Sequence, residues 1–141
     1  FSTYPPDGQG PLVYPWIPPA PEVMSTGLRQ AHARVDPDTE FVYNLPAGIS
    51  QAAWNDVQGR LGIDARPMMP GDTVVWSIER FGIRNTTAFA DIAYWNEGKA
   101  VLLTVNMERE NIMPFRVTSV QRFYLQMTEP VCNNPAAETG E

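Results

Sequence analysis

Apolar positions recur with helical spacing in the first of two predicted helices. They are separated by four, three and four residues and comprise Met24, Leu28, Ala31 and Val35. Such spacing places them in one stripe of an amphipathic helix. Pro21 suits the first helical turn, and the pattern ends at Pro37 because the residue before a proline disfavours helical torsion angles. We therefore predict a helix over residues 21–35, in which Gly27 is the weakest position.

A strand and a second helix follow. The stretch TEFVYNLP, residues 39–46, alternates apolar and polar positions and is ended by Pro46, which is typical of a strand. The helix begins after Ser50, a preferred N-cap residue, and ends at Gly62. Its apolar face consists of Ala53, Trp54, Val57 and Leu61. We expect this face to pack on a sheet.

From Asp72 onward, the chain is rich in β-branched and aromatic residues that alternate with period two. Four segments have this pattern: TVVWSIERFGI, TTAFADIAYW, AVLLTVNMER and FRVTSVQRFYLQM. The short NEGK connection between the second and third is typical of an antiparallel hairpin. We predict a four-stranded antiparallel meander. In its last strand, one parity is apolar and is expected to be buried: Phe115, Val117, Phe123, Leu125 and Met127.

These elements predict an α+β fold with two helices packed on a curved antiparallel sheet of about five strands. Between Thr39 and Met127, the order of one strand, one helix and four strands resembles that of cystatin-like folds. The inhibitory Gln-Val-Val-Ala-Gly type of loop of that family is absent, since the corresponding connection reads FGIRNT, so protease inhibition is not expected. We predict an extended proline-rich arm over residues 1–20, a single domain over 21–128 and an acidic polar tail over 129–141.

Composition and charge narrow the class of function. The net charge is −6, and residues 41–127 carry eight acids and eight bases, so the surplus acids lie at the two ends. No run of Lys or Arg provides the basic footprint of a nucleic-acid-binding protein. No apolar run approaches the length of a membrane-spanning helix. Because residue 1 is Phe rather than Met, we expect a processed or trimmed chain. We expect its location to be extracytoplasmic: secreted, periplasmic or at the cell surface.

Few residues offer chemistry of their own. His32, the sole histidine, lies beside the apolar stripe of the first helix, and no nucleophile in the sequence pairs with it, so a boundary residue is expected. The run VDPDTE lacks the Gly and the closing Glu of a calcium loop, which favours a turn. Cys132 is the single cysteine and is expected to be inert, the alternative being an intermolecular disulfide. We predict no catalytic residue, no cofactor and no metal site, and hence no enzyme.

One arrangement keeps a ligand-binding alternative open. Five residues of the first two meander strands would surround a pocket if the sheet were concave: Trp76, Glu79, Asp91, Tyr94 and Trp95. Asp91 then either has a raised pKa, if buried alone, or pairs with an arginine such as Arg80 or Arg122 on a neighbouring strand. Cross-strand pairing is the favoured interpretation.

The proline-rich arm is the most informative functional feature. Residues 4–22 contain seven prolines, which exclude a helix and a central strand and leave an extended chain. The arm also carries large apolar side chains, which are predicted to bind a partner: Tyr4, Leu12, Val13, Tyr14, Trp16 and Ile17. We therefore predict a structural or accessory subunit whose arm mediates association with a protein partner or with further copies. There are three alternatives: the arm wraps around its own domain, the chain is a small-ligand-binding domain or an enzyme that uses a concave sheet pocket, or the arm is a proline-rich ligand for an aromatic groove.

Overall fold

The computed structural model describes residues 20–111, 113–124 and 128–139, with side chains up to residue 137. Its elements are α1 (Ala20–Arg34), β1 (Phe41–Asn44), α2 (Gln51–Leu61), β2 (Ala65–Pro67), β3 (Val74–Arg84), β4 (Thr87–Asn96), β5 (Lys99–Glu108), β6 (Arg116–Phe123) and α3 (Pro135–Thr139). The α+β class is therefore confirmed. Both helices expected from the sequence are present, and Ser50 caps α2 by accepting a hydrogen bond from the backbone of Ala53.

The strands form one open, mixed sheet of six in the order β2-β1-β3-β4-β5-β6. The antiparallel meander β3–β6 is confirmed, but β1 pairs in parallel with both β2 and β3. The prediction of an antiparallel sheet of about five strands is thus corrected to a mixed sheet of six. Strand β2 was not predicted, because its three residues, ARP, are too few to show an alternating pattern. It is a strand because it pairs with β1. No helix in the described residues is long and apolar enough to cross a membrane.

A bulge in β6 decides which side chains of this strand face the helices. The face of the sheet that carries α1 and α2 is called the inner face. In β6, the pairing with β5 shifts at Thr118, so Val117 and Val120 both pack on the inner-face core. The bulge moves Phe123 to the outer face, where 43% of it is exposed. The predicted single apolar parity of this strand is wrong for that reason, although Phe115 is buried; Leu125 and Met127 lie outside the described residues.

Helix α1 lies directly on the inner face. Gly27 is not a weak position but a close contact, because a Cβ atom built there would lie 2.9 Å from the Cβ of Ala90 on β4. Helix α2 packs on α1 and on the β1 side of the sheet rather than on the meander, and Trp54 contacts the ring of Tyr43 with centroids 5.7 Å apart. Trp54 and Val57 are buried as predicted, whereas Leu61 is half-buried.

The C-terminal segment, residues 128–134, lies on the outer face over β1 and β3. Asn44 of β1 holds it: its Nδ2 donates to the carbonyl of Val131 at 2.8 Å, and its Oδ1 accepts from the backbone N–H of Asn133 at 3.0 Å. Cys132 is half-buried, packs against a small cluster of Val42, Met68 and Val75, and donates to the carbonyl of Met68 at 3.3 Å. This part of the predicted tail therefore packs on the sheet.

Candidate interaction surface

A column of aromatic rings fills the inner face beneath α1. Tyr94 stacks on Trp76 with centroids 4.4 Å apart, and the edge of Trp76 meets the ring of His32 at 4.7 Å. His32 in turn stacks on Phe41 at 4.3 Å, and its Nε2 is 2.9 Å from the carbonyl oxygen of Thr39. The histidine is therefore packed at the boundary of the core, where a group that touched substrate would need open space.

Asp36 binds the last ring of this column, Tyr94. The hydroxyl of Tyr94 donates to Asp36 Oδ2 at 2.5 Å and accepts from Asn96 Nδ2 at 2.9 Å. Burial, reinforced by the neighbouring carboxylate, raises the pKa of Tyr94 to about 12, and the hydrogen bond from Tyr94 lowers the pKa of Asp36. The pair thus holds a neutral phenol against an ionised carboxylate, an arrangement that fixes the end of α1 to the sheet.

The five residues predicted to surround one pocket do not meet. Trp76 and Tyr94 point to the inner face, whereas Asp91 and Trp95 point to the outer face of the same strands, and Glu79 lies in the bulge of β3 between Ile78 and Arg80. Side chains on opposite faces cannot line one pocket because the sheet lies between them. The concave pocket expected from these residues is therefore not formed by them.

Asp91 has the arginine partner that its strand position predicted. Arg80 Nε donates to Asp91 Oδ2 at 2.6 Å, and Thr104 Oγ1 donates to Asp91 Oδ1 at 2.6 Å. The three residues come from β3, β4 and β5 and stand opposite one another on the outer face. Cross-strand pairing, rather than an unpaired carboxyl group, accounts for this residue.

Two acidic residues of the run VDPDTE, residues 35–40, bind different partners instead of converging on one point. Asp36 binds Tyr94, and Glu40 accepts from Arg66 Nε at 2.8 Å. Arg66 also forms a bidentate ion pair with Asp72, at 2.7 and 3.0 Å. Within the described part of the chain, no group of three His, Cys, Asp or Glu residues is arranged to hold a metal ion.

One cavity on the outer face is lined by a carboxyl group whose pKa is raised. It measures about 400 Å³ and lies between the connection after β1, the bulge of β3 and the C-terminal segment. Glu79 lines it, and partial burial raises the pKa of this residue while a hydrogen bond with Ser77 opposes the shift. Glu79 itself is an exposed residue. The cavity is an open surface groove, since most of its lining belongs to exposed connections.

The exposed apolar side chains lie at the two open edges of the sheet. Five of the six large ones in the described residues flank the edge strands: Ile63 (98% exposed) and Met69 (42%) flank β2, while Met113 (59%), Phe123 (43%) and Tyr124 (74%) lie at the ends of β6. An edge strand also presents unpaired backbone N–H and C=O groups. The sequence pattern placed Phe123 in the buried set because it could not register the bulge, and Ile63 carries no periodic signal.

The strand β6 is the more available of the two edges. It has eight residues, contains neither proline nor an acidic residue, and six of the eight residues are exposed. By contrast, β2 has three residues, ends in Pro67 and is flanked by the Arg66–Asp72 ion pair. Open edges that are long and free of proline are sites of association in other sheets. We take β6 and its flanking apolar residues as the candidate interaction surface.

The six residues predicted to bind a partner through the arm all precede Ala20 and lie outside the described residues: Tyr4, Leu12, Val13, Tyr14, Trp16 and Ile17. Their role stays a prediction. Comparison with protein families, with curated proteins and with solved structures finds no match to this chain. Function must therefore be argued from the geometry of the chain itself.

Proposed function

We propose that this protein is a non-enzymatic structural or accessory subunit that associates with protein partners, or with further copies of itself, in an extracytoplasmic assembly. The observation that carries the proposal is the position of its exposed apolar side chains at the open edges of the sheet. A monomeric protein seldom leaves large apolar residues beside unpaired strand edges, because both features promote association.

The packing of the inner face supports a non-enzymatic role. Trp76, Tyr94 and Phe41 are each at most 8% exposed and contact one another or His32, so these side chains leave little space for a substrate between the helices and the sheet. The alternative of a small-ligand-binding domain or an enzyme requires such space. The cystatin-like order of elements stays a prediction, and a likeness in element order would not by itself supply an activity.

The arm of residues 1–20 supplies the second part of the proposal. It enters the domain at Ala20, which is fully buried at the start of α1. Proline restricts the unfolded conformations of the arm, so ordering it on a partner costs less entropy than ordering a flexible segment. Burying aromatic residues such as Tyr14 and Trp16 would contribute several kcal/mol at about 25 cal/mol per Å² of apolar surface.

The experiment compares two full-length variants by light scattering and circular dichroism. The first replaces Tyr14, Trp16 and Ile17 by Ser; the matched control replaces Thr3 and Gln9 of the same arm by Ser. We expect the first to remain folded and to lose association, and the control to behave as the unmodified protein. If the first variant loses its fold while the unmodified chain is a monomer at all concentrations, the arm wraps its own domain and the proposal is wrong.

A further inference from the structure

We infer that the edge strand β6 binds β6 of a second copy of this chain, in antiparallel orientation, so that the two sheets become continuous across a two-fold axis. The inference rests on the proposed function insofar as it assumes that the chain associates. It goes further by naming the partner, the strand and the register. Three features of β6 lead to this assignment.

The first feature is a regular stretch that is long enough to pair. Residues 119–123 follow the bulge at Thr118 and pair with β5 without interruption, from Ser119 opposite Asn106 to Phe123 opposite Leu102. Their other backbone edge has no neighbouring strand within the described sheet. As far as the described residues show, five consecutive residues of this edge are therefore available to a new strand, and the bulge marks where the pairing ends.

The second feature is that the sequence of this stretch, SVQRF, is complementary to itself when it pairs about Gln121. In that register, the large Phe123 of each copy lies opposite the small Ser119 of the other, and both are on the outer face. On the inner face, Arg122 lies opposite Val120. Gln121 lies opposite its own equivalent, where two side-chain amides can donate to and accept from each other. Outer-face residues meet outer-face residues throughout, as a continuous sheet requires.

The third feature is charge. Arg122 is the sole charged residue of the stretch 119–123, and pairing about Gln121 places it opposite an apolar residue rather than opposite a second arginine. Its guanidinium is also held within its own copy, since Nη2 donates to the carbonyl oxygen of Arg34 at 3.2 Å. The stretch contains no carboxylate to attract a basic partner strand. A second copy therefore meets no directly opposed like charges in this stretch, and the two Arg122 side chains are diagonal neighbours on the inner face.

Pairing would also cover exposed apolar side chains. Phe123 is 43% exposed and lies within the proposed paired stretch, opposite Ser119 of the second copy. Each copy brings this residue, so a closed dimer would cover part of two aromatic side chains. Because the same patch is used on both copies, the contact is complete with two chains and does not extend into a fibre.

Cysteine cross-linking tests the register. In a full-length chain with Cys132→Ser, we introduce Gln121→Cys or, as the matched control, Ser119→Cys; both positions are exposed on the outer face of β6. Opposite residues of antiparallel strands have Cα atoms about 4.5–5.5 Å apart, within the range of a disulfide, whereas two Ser119 positions would be separated by roughly 13 Å. We expect a disulfide-linked dimer for Gln121→Cys and none for Ser119→Cys.

A charge variant tests the association itself by sedimentation velocity over a range of concentrations. Gln121→Lys places two like charges opposite each other at the two-fold axis and should weaken the dimer by roughly threefold or more. Gln51→Lys changes the net charge equally on an exposed position of α2 and should leave the dimer unchanged. Circular dichroism checks that both variants keep the fold.

The outcomes separate this inference from the proposed function. A monomer at every concentration, or equal cross-linking at positions 119 and 121, overturns the pairing of β6. If the arm variant loses association while Gln121→Lys keeps it, the arm is the interface and the β6 inference fails. If Gln121→Lys loses association while the arm variant keeps it, the β6 dimer stands and the arm is not needed for it.

Discussion

Single residues of this protein show that neighbours, rather than intrinsic preference, decide what a side chain contributes. Glycine usually weakens a helix interior because of its backbone freedom. At Gly27 this weakness is outweighed, since the missing side chain lets α1 lie against Ala90 and Ile92 of β4. At Gly59 on α2, no atom of the described residues beyond its chain neighbours and the backbone of its own helix lies within 4 Å of the position of a Cβ, so the intrinsic preference applies.

We therefore expect opposite effects of the same substitution at two helical sites. Gly27→Ala should destabilise the protein by about 1–3 kcal/mol, because its Cβ would lie 2.9 Å from a Cβ fixed to the central strand β4. Gly59→Ala should stabilise it by about 0.5–1 kcal/mol. Urea unfolding of both variants measures the difference. Equal effects of the two substitutions would mean that α1 does not pack on β4 at this distance.

The elements at the margin of the sheet are held by polar bonds rather than by buried surface. Strand β2 has only Ala65 in the core; it pairs with β1, accepts a hydrogen bond from Gln58 at Ala65, and is further held through Arg66. Asp72 accepts hydrogen bonds from both terminal nitrogens of Arg66 and from the backbone N–H of Met69, the last at 2.8 Å. The guanidinium of Arg66 lowers the pKa of Asp72, so this carboxylate is stabilised in its ionised form by folding.

Replacement of Asp72 should therefore have an effect that depends on pH. A carboxyl group with a lowered folded-state pKa contributes stability above its unfolded-state pKa, about 3.8, and that stability is lost as the pH falls through the folded-state value. We expect Asp72→Asn to cost about 1–2 kcal/mol near pH 7. The difference from the unmodified protein should shrink below pH 4.

Chemical denaturation at a series of pH values provides the measurement for Asp72→Asn. Asp64→Asn is the matched control, because Asp64 is an exposed carboxylate shortly before β2. It should leave stability and its pH dependence nearly unchanged. A cost for Asp72→Asn that persists undiminished below pH 3 would show that the loss is one of packing rather than of charge.

In the whole molecule, the end of the chain is tied to the middle of the sheet. Asn44 bonds to the C-terminal segment at Val131 and Asn133 and to Ser77 of β3 at 3.1 Å. Asn133 and Asn134 donate further side-chain hydrogen bonds to the carbonyl oxygens of Leu45 and Met68. The segment covers Val42 and Val75 on the outer face.

Asn44→Ala should weaken the attachment of the C-terminal segment to the sheet. Asn44 is 1% exposed, and its loss leaves the backbone N–H of Asn133 without its acceptor, so we expect a cost of about 1–3 kcal/mol. Amide hydrogen exchange of residues 131–134 should become faster than in the unmodified protein. Asn106→Ala, which removes an exposed bond to Ser119, should cost less than about 0.5 kcal/mol. Unchanged exchange in the Asn44 variant would mean that other bonds hold the segment.

The sequence by itself determined the elements whose pattern is long and local. Both helices follow from periodic apolar residues and their caps, and the meander follows from period-two alternation and an Asn/Gly turn, because these signals arise from backbone geometry within one segment. An arginine partner for Asp91 on a neighbouring strand was also expected from the sequence, but the bulge at Glu79 is what brings Arg80 to the face of Asp91.

Only the tertiary structure decided the features that depend on a partner far along the chain. Strand β2 exists because β1 offers it an edge, and Gly27 is a contact because β4 lies beneath it. The bulge at Thr118 reverses the faces of the residues that follow, so Phe123 became exposed at the edge that we propose for association. A one-residue irregularity changes the face of every later side chain, and no local pattern of residue types records it.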